Sequence, residues 1–264
     1  VLVLPDRANA DVALALGDGA RGLVAVLRAQ RRDDLLRADP ALGEPDWFRL
    51  GDGDLALHVA RTRRLRAGET LTAITVDVAS RFGITVQVLP MSDEPVRTLV
   101  ETPEGTLGFQ DYFVRRRCAP EVRSLRFERA EAARPSPQVL AALAHPDLAC
   151  IIICPSNPWL SVDPILAVPG MTQAMRAAKV PVIAVTPIIA GQAVKGPTAK
   201  IMSELGLAGD ALTIADHYRG LIDAFVLDQT DASLAPRFDV PVHIAQTLMR
   251  TRADKVALAS TCLG

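Results

Sequence analysis

LACIIICPSNPWLSVDPILAVPG, residues 148–170, decides the fold. Its first six residues are apolar without a break, which suits a strand buried on both faces at the centre of a parallel sheet. The run then gives way to prolines, a Ser-Asn pair and an aspartate. Ligands of open parallel sheets bind beyond the carboxyl ends of the strands. Hydrogen-bonding residues crowded at such an end therefore mark a candidate site as well as a turn.

Downstream the pattern alternates. GMTQAMRAA (170–178) reads as a helix, VPVIAVT (180–186) as a strand, and GPTAKIMSELG (196–206) as a helix capped by Gly206. LIDAFVLD (221–228) and VPVHIAQ (240–246) supply further strands, and RTRADKVALASTCL (250–263) a last helix. This alternation predicts right-handed βαβ units. Upstream, residues 1–40 suggest a short strand followed by Ala/Leu-rich helix. GDGDLALHVARTRRL (51–65) reads as a loop carrying Asp52 and Asp54, then a helix. In GETLTAITVDVASRFGI (68–84), Leu71, Ile74, Val78 and Phe82 share one helical face, and Gly83 closes it. The period changes in the middle: TVQVLP (85–90), VRTLVET (96–102), LGFQDYFVRR (107–116) and EVRSLRFER (121–129) read as short strands, with ETPEGT (101–106) as a hairpin turn. ERAEAARPSPQ (128–138) reads as an exposed connection. The expected fold is α/β and Rossmann-like: a mostly parallel sheet with helices on both faces and a smaller inserted helical/β region. The corresponding divisions are 1–49 (N-terminal segment of the core), 50–135 (insertion) and 136–264 (nucleotide-binding core).

Composition narrows the class. About half of the 264 residues are apolar, enough for a substantial core, and the net charge of −1 gives no electrostatic case for nucleic acid or an anionic membrane. No stretch approaches the ~20 apolar residues of a membrane span. Four cysteines without CxxC pairs read as reduced thiols, so a cytoplasmic protein is expected.

Four groups of residues could carry chemistry. After the strand at 148–153 come Ser156 and Asn157; after the strand at 180–186 come Gly191, Lys195 and Gly196. Parallel neighbours would put both loops on one rim, where short donors, glycines and a lysine before a helix suit phosphate. The plainer reading is turn residues satisfying strand and helix ends. Ser92 and Asp93 follow the strand TVQVL; they suit either a cap or a carboxylate that orients or deprotonates a hydroxyl. Asp52 and Asp54 suit a magnesium-type oxygen site or capping, and His58 a packed structural histidine. Gln110 and Arg115, read on a strand with three arginines at its end, are further polar candidates.

WFRLGDGDLALH, LPMSDEPVRT, FQDYFVRRRCAPEV, CPSNPWLSVDPILAVPG, VTPIIAGQAVKGPTAKIMSELG, ADHYRGLIDAFVLD and TLMRTRADKVALA occur in order from about Pro45 onward. Together they resemble the 2-phospho-L-lactate transferase family of coenzyme F420 biosynthesis. The resemblance implies transfer of a phospholactyl or phosphoenolpyruvyl group from a guanosine-diphospho-activated lactate or enolpyruvate to the deazaflavin Fo, releasing GMP. It further implies Mg2+ and a homodimer. Asp93 and Lys195 would be catalytic. Ser92, Asp52, Asp54, His58, Gln110 and Arg115 would lie on the Fo side, and Pro155, Ser156, Asn157, Ile188, Lys195 and Gly196 would bind nucleotide and phosphate. The glycine-rich opening loop, the N-x-G-D-D segment and the CPDLDT-like segment usual in the family have no recognisable counterpart here. Gly53 stands where arginine is common and Leu57 where threonine is. A non-catalytic nucleotide or nucleotide-sugar binding regulator on the same fold is the competing reading.

Overall fold

The computed structural model describes residues 2–5, 14–17, 35–37, 49–194 and 196–263. Among these, seven strands form the central sheet: β1 (Leu2–Pro5), β2 (Leu14–Gly17), β5 (Val88–Pro90), β9 (Leu148–Ile153), β10 (Val182–Val185), β13 (Ala224–Asp228) and β14 (Val242–Ala245). Their order is β14-β13-β10-β9-β1-β2-β5. The pairs β9/β10, β10/β13, β13/β14 and β2/β5 are parallel. β1 is antiparallel to both β9 and β2, so it alone opposes the common direction. β3 (Leu35–Arg37) and β4 (Arg49–Gly51) pair separately; β6 (Arg97–Thr102), β7 (Gly105–Gly108) and β8 (Ser124–Glu128) form a three-stranded antiparallel sheet. The two-residue strands β11 (Ile188–Ile189) and β12 (Gln192–Ala193) make a small hairpin.

The unbroken apolar run of β9 has the expected cause. Ile151 and Ile153 enter the main core with Val182, Ala184, Phe225 and Leu227. Cys150 and Ile152 point to the other face with Ile183, Val185 and Val226, where Leu258 and Cys262 of the helix Arg252–Leu263 cover them. The main core is covered by helices Pro137–Leu143, Met171–Ala177, Thr198–Glu204 and Ala211–His217, through Val139, Met171, Met175, Ile201 and Ile214. Burial on both faces leaves no polar position in such a strand. The α/β, mostly parallel architecture follows.

Several local expectations need correction. Leu14–Gly17 is a strand, not helix; its pairing with both β1 and β5 overrides the helical preference of Ala and Leu. Val88–Pro90, assigned by sequence to the 50–135 insertion, joins the central sheet, and the part outside that sheet is the β6–β8 sheet. FQDYFVRR is not a strand. The β6/β7 ladder ends at Gly108, and the chain turns helical over Asp111–Arg115, closed by Arg116 N–H to Asp111 O at 2.8 Å and Cys118 N–H to Tyr112 O at 2.9 Å. Phe82 lies past the last residue of the helix Leu71–Arg81 and is 41% exposed, while Ile74 and Val78 are buried. Asp52 and Asp54 begin the helix Asp52–Arg66 instead of preceding it. Residues 128–138 are not an exposed connection: Ala130, Ala133, Pro135 and Ser136 are buried.

Candidate active site

The strand order changes direction between β9 and β1. The chain lays β1, β2 and β5 on one side and β9, β10, β13 and β14 on the other. Such a switch opens a crevice at the carboxyl ends of the strands. β5, β9, β10 and β13 point the same way, so the segments beginning at Met91, Cys154, Thr186 and Gln229 leave from one rim. Asp228, the last residue of β13, is 3% exposed. Its Oδ1 accepts the Thr230 N–H at 2.9 Å, and its Oδ2 accepts the Thr247 N–H and Oγ1–H at 2.9 and 2.8 Å. This carboxylate ties the exits of β13 and β14 together. Sequence reading missed it, although an aspartate ending an apolar strand was a visible signal.

The exit of β9 explains its turn-forming residues. Cys154 is exposed, Pro155, Ser156 and Asn157 are half-buried, and the Ser156 N–H bonds back to Cys154 O at 2.7 Å. Asn157 Oδ1 caps the next turn by accepting the Leu160 N–H at 2.9 Å. Its Nδ2 is buried and has no hydrogen-bond partner among the described residues. A buried donor without an acceptor is costly unless a ligand supplies one. Farther on, Trp159 packs 5.1 Å from the His217 ring, and His217 Nε2 lies 2.7 Å from Asp163 Oδ1. These contacts anchor the segment on the helix Ala211–His217.

The neighbouring loop is organised around Thr186. Its Oγ1 donates to Ile188 O at 2.8 Å and accepts the Ile188 N–H at 3.1 Å, while the Ile188 side chain is fully buried. Ala190 and Gly191 connect β11 to β12 with φ of 49° and 73°. Positive φ at both positions matches a type I′ hairpin, which favours Asn-Gly. Ala190→Asn is therefore expected to raise stability by about 0.5–1 kcal/mol, read as a higher urea midpoint. The turn is held outward by the Ala190 N–H bond to Asp231 Oδ2 at 2.9 Å. Gly196, at φ 71°, precedes the helix Thr198–Glu204. Lys195 lies outside the described residues.

On the same rim, with β1 and β2 between, the exit of β5 opens into a cleft of about 860 Å³ lined by Asp93, Glu94, Arg134, Ser136, Leu140 and Gly170, among others. Its walls are cross-braced. Ser92, itself buried, donates Oγ–H to Glu94 Oε2 at 2.6 Å, and the same oxygen accepts the Arg134 N–H at 3.2 Å. The Ser92 hydroxyl and the Arg134 amide hold the Glu94 carboxyl below the ordinary range against the opposing effect of burial. The Ser136 N–H reaches Met91 O at 3.2 Å, and Ser136 Oγ accepts the Val139 N–H at 3.3 Å. Asp93 Oδ1 accepts the Thr72 N–H at 2.7 Å in the first turn of the helix Leu71–Arg81. Asp93 therefore caps a helix and lines the cleft at once.

The remaining candidates are dispersed. His58 lines a separate hollow of about 420 Å³ with Val59, Thr62, Arg63 and Arg66, and that hollow shares no lining residue with the cleft. Gln110 and Arg115 are both exposed, at the start and end of the helical turn; Arg115 Nη1 is 3.5 Å from Asp111 Oδ1. Among the described residues, no three His, Cys, Asp or Glu side chains converge as metal ligands.

A largely parallel sheet whose order reverses between β9 and β1, with helices on both faces, defines an α/β protein. A family model, 2-phospho-L-lactate transferase CofD, matches residues 2–258, and the chain belongs to this family. It is similar to the 2-phospho-L-lactate transferase of Methanosarcina mazei, with 40% identity over 221 residues, 83% of this chain and 72% of that protein. It is also similar to the phosphoenolpyruvate transferase of Streptomyces griseus, with 40% identity over 193 residues, 71% of this chain and 60% of that protein. A solved UPF0052-family protein from Bacillus halodurans superposes with a TM-score of 0.53 at 17% identity, covering 80% of this chain and 72% of that one. That likeness concerns the fold alone.

Proposed function

We propose that this transferase moves a phospholactyl or phosphoenolpyruvyl group from a guanosine-diphospho-activated three-carbon acid to a ribityl hydroxyl of the deazaflavin Fo. The hydroxyl oxygen attacks the phosphorus that carries the acid, the bridging P–O bond to GMP breaks, and the hydroxyl proton passes to a carboxylate. The observation that supports this reading is the shared rim: the β9 and β10 exits, with the unpaired Asn157 donor, leave from the same edge of the sheet as the β5 exit, where Asp93 lines the cleft. Ser156, Asn157, Lys195 and Gly196 are assigned to the donor diphosphate, and Asp93 to the acceptor hydroxyl. Phosphoryl transfer depends chiefly on positioning and charge neutralisation, which these groups can supply.

Magnesium belongs to this reading as counter-ion of the diphosphate. It is ordinarily held by one or two carboxylates plus phosphate oxygens rather than by a full protein cage. Bound there, it would draw charge from the phosphoryl oxygens. A cytoplasmic homodimer completes the proposal. The four cysteines are free, and among the described residues no helix is long and apolar enough to cross a membrane. Light scattering giving a monomer mass would remove the dimer.

Incubation with Mg2+, Fo and the activated acid should yield GMP and a phosphodiester-linked Fo in equal amounts. Nucleotide binding without either product would favour the regulator instead. Lys195→Ala is expected to weaken GDP binding about ten- to a hundredfold, the ~1.5–3 kcal/mol of a charge-assisted contact, with Fo affinity unchanged. Equal GDP affinity in calorimetry would take the lysine out of the site.

A further inference from the structure

The helix Thr198–Glu204, which begins two residues after Gly196, reaches across to the insertion. Lys200 Nζ donates to Pro120 O at 2.8 Å, and Glu204 Oε2 accepts the Val122 N–H at 3.0 Å. Lys200 and Glu204 also pair with each other, and Lys200 Nζ sits 5.9 Å from the centre of the Tyr112 ring. One turn of helix thus supplies both a donor and an acceptor to backbone groups two residues apart. The segment it grips is an unusual one. Arg117 and Cys118 are consecutive non-glycine residues at φ of 50° and 58°. Left-handed backbone costs about 1–2 kcal/mol per such residue and persists only where the surroundings hold it. Tyr112 and Val122, on either side, are both fully buried in the main core. The segment leads from the helical turn bearing Gln110 and Arg115 into β8.

We propose that Lys200 and Glu204 are positioning residues that clamp the insertion to the helix after the anion loop and so set the distance between acceptor-side side chains and the rim. The proposal rests on the transferase reading for the identity of the two substrates. The contacts themselves do not depend on it. A clamp of this kind acts on the acceptor step and leaves the donor site alone, because both side chains turn to the insertion and neither belongs to the β9 exit or to the Lys195 and Gly196 pair assigned to the diphosphate.

The test compares wild type, Glu204→Gln and the double variant Lys200→Met/Glu204→Leu. The readouts are kcat and KM for Fo, GDP affinity by calorimetry, and amide exchange across 109–122. The double variant is expected to raise the KM for Fo and lower kcat by about tenfold in kcat/KM, since sub-ångström misplacement is enough for that. GDP affinity should stay within about twofold, and the Val122 amide should exchange at least about tenfold faster. Glu204→Gln keeps an acceptor for the Val122 N–H and should remain near wild type. A folded double variant with wild-type Fo kinetics overturns the proposal. Should the double variant not fold, Lys200→Met alone, which releases Pro120 and retains the Glu204–Val122 bond, carries the comparison of Fo kinetics, and wild-type Fo kinetics in it overturn the proposal. If wild type itself does not transfer to Fo, the transferase reading falls and exchange alone decides: acceleration confined to 109–122 sustains the clamp, and unchanged exchange overturns it.

Discussion

Asp93→Asn is expected to fold normally and bind GDP with wild-type affinity while transfer to Fo falls about 10²–10⁴-fold. The carboxylate has two neighbours that ask different things of it. Thr72 needs only an oxygen to accept its N–H, and asparagine provides one. The stability cost should therefore stay near ~1 kcal/mol, including the lost interaction of a negative charge with the helix N-terminus. The cleft side is different: a hydroxyl that is to attack phosphorus must lose its proton, and an amide cannot take it. The decisive measurements are single-turnover transfer, thermal midpoint and GDP affinity on the same preparation. Near-wild-type turnover by a folded variant would leave Asp93 as a cap and pass the carboxylate role to Asp52 and Asp54.

Asp228→Asn carries the second large effect, on stability. The amide retains one acceptor but turns its NH2 group toward donors, leaving a Thr247 or Thr230 N–H unpaired in a buried site. A loss of about 3 kcal/mol at pH 7 is expected. The pH dependence follows from the carboxyl itself. Burial raises its pKa, but the hydrogen bonds from Thr230 and Thr247 outweigh burial and hold it below the ordinary 3.8. A folded-state pKa below the unfolded one means the contribution is complete above about pH 4 and is lost as pH falls through the folded value. The stability gap between wild type and Asp228→Asn should therefore narrow below pH 4. Urea unfolding of both proteins in steps from pH 7 to pH 3 reads the gap, and a gap that stays constant refutes the account.

What could be read from sequence was local and periodic. LACIII announced a doubly buried strand because all of it but Ala149 faces one core or the other. The helix Leu71–Arg81 announced itself through Ile74 and Val78, spaced one turn apart. The rim loops were legible for a related reason: prolines, glycines and Ser-Asn pairs punctuate strand ends whatever their function. LALG (14–17) misled because the Ala/Leu-rich composition around it suits a helix, while its own conformation is set by pairing with β1 and β5. FQDYFVRR misled because aromatics favour strands, yet no strand was left for it to pair with beyond Gly108. The site features that went unseen share one property. Asp228 with Thr247, Lys200 with Pro120 and Glu204 with Val122 are isolated contacts between distant positions. Such pairs leave no period in the sequence. The cleft at the β5 exit was hidden in the same way, since more than half of its wall comes from residues taken for a surface connection.

The pairing of β1 with β9 has a consequence for how the chain is made. Leu2 lies opposite Ala15 on one side and Ile152 on the other, so a ribosome must complete everything up to β9 before β1 meets its second partner. At roughly 5–20 residues per second that wait is on the order of ten to thirty seconds, long compared with local helix and hairpin formation. During it, one edge of the nascent sheet is open to any other extended chain nearby. Yield during synthesis therefore depends on how that unpartnered edge is shielded, and slower growth or a holding chaperone acts there before any property of the finished molecule can matter.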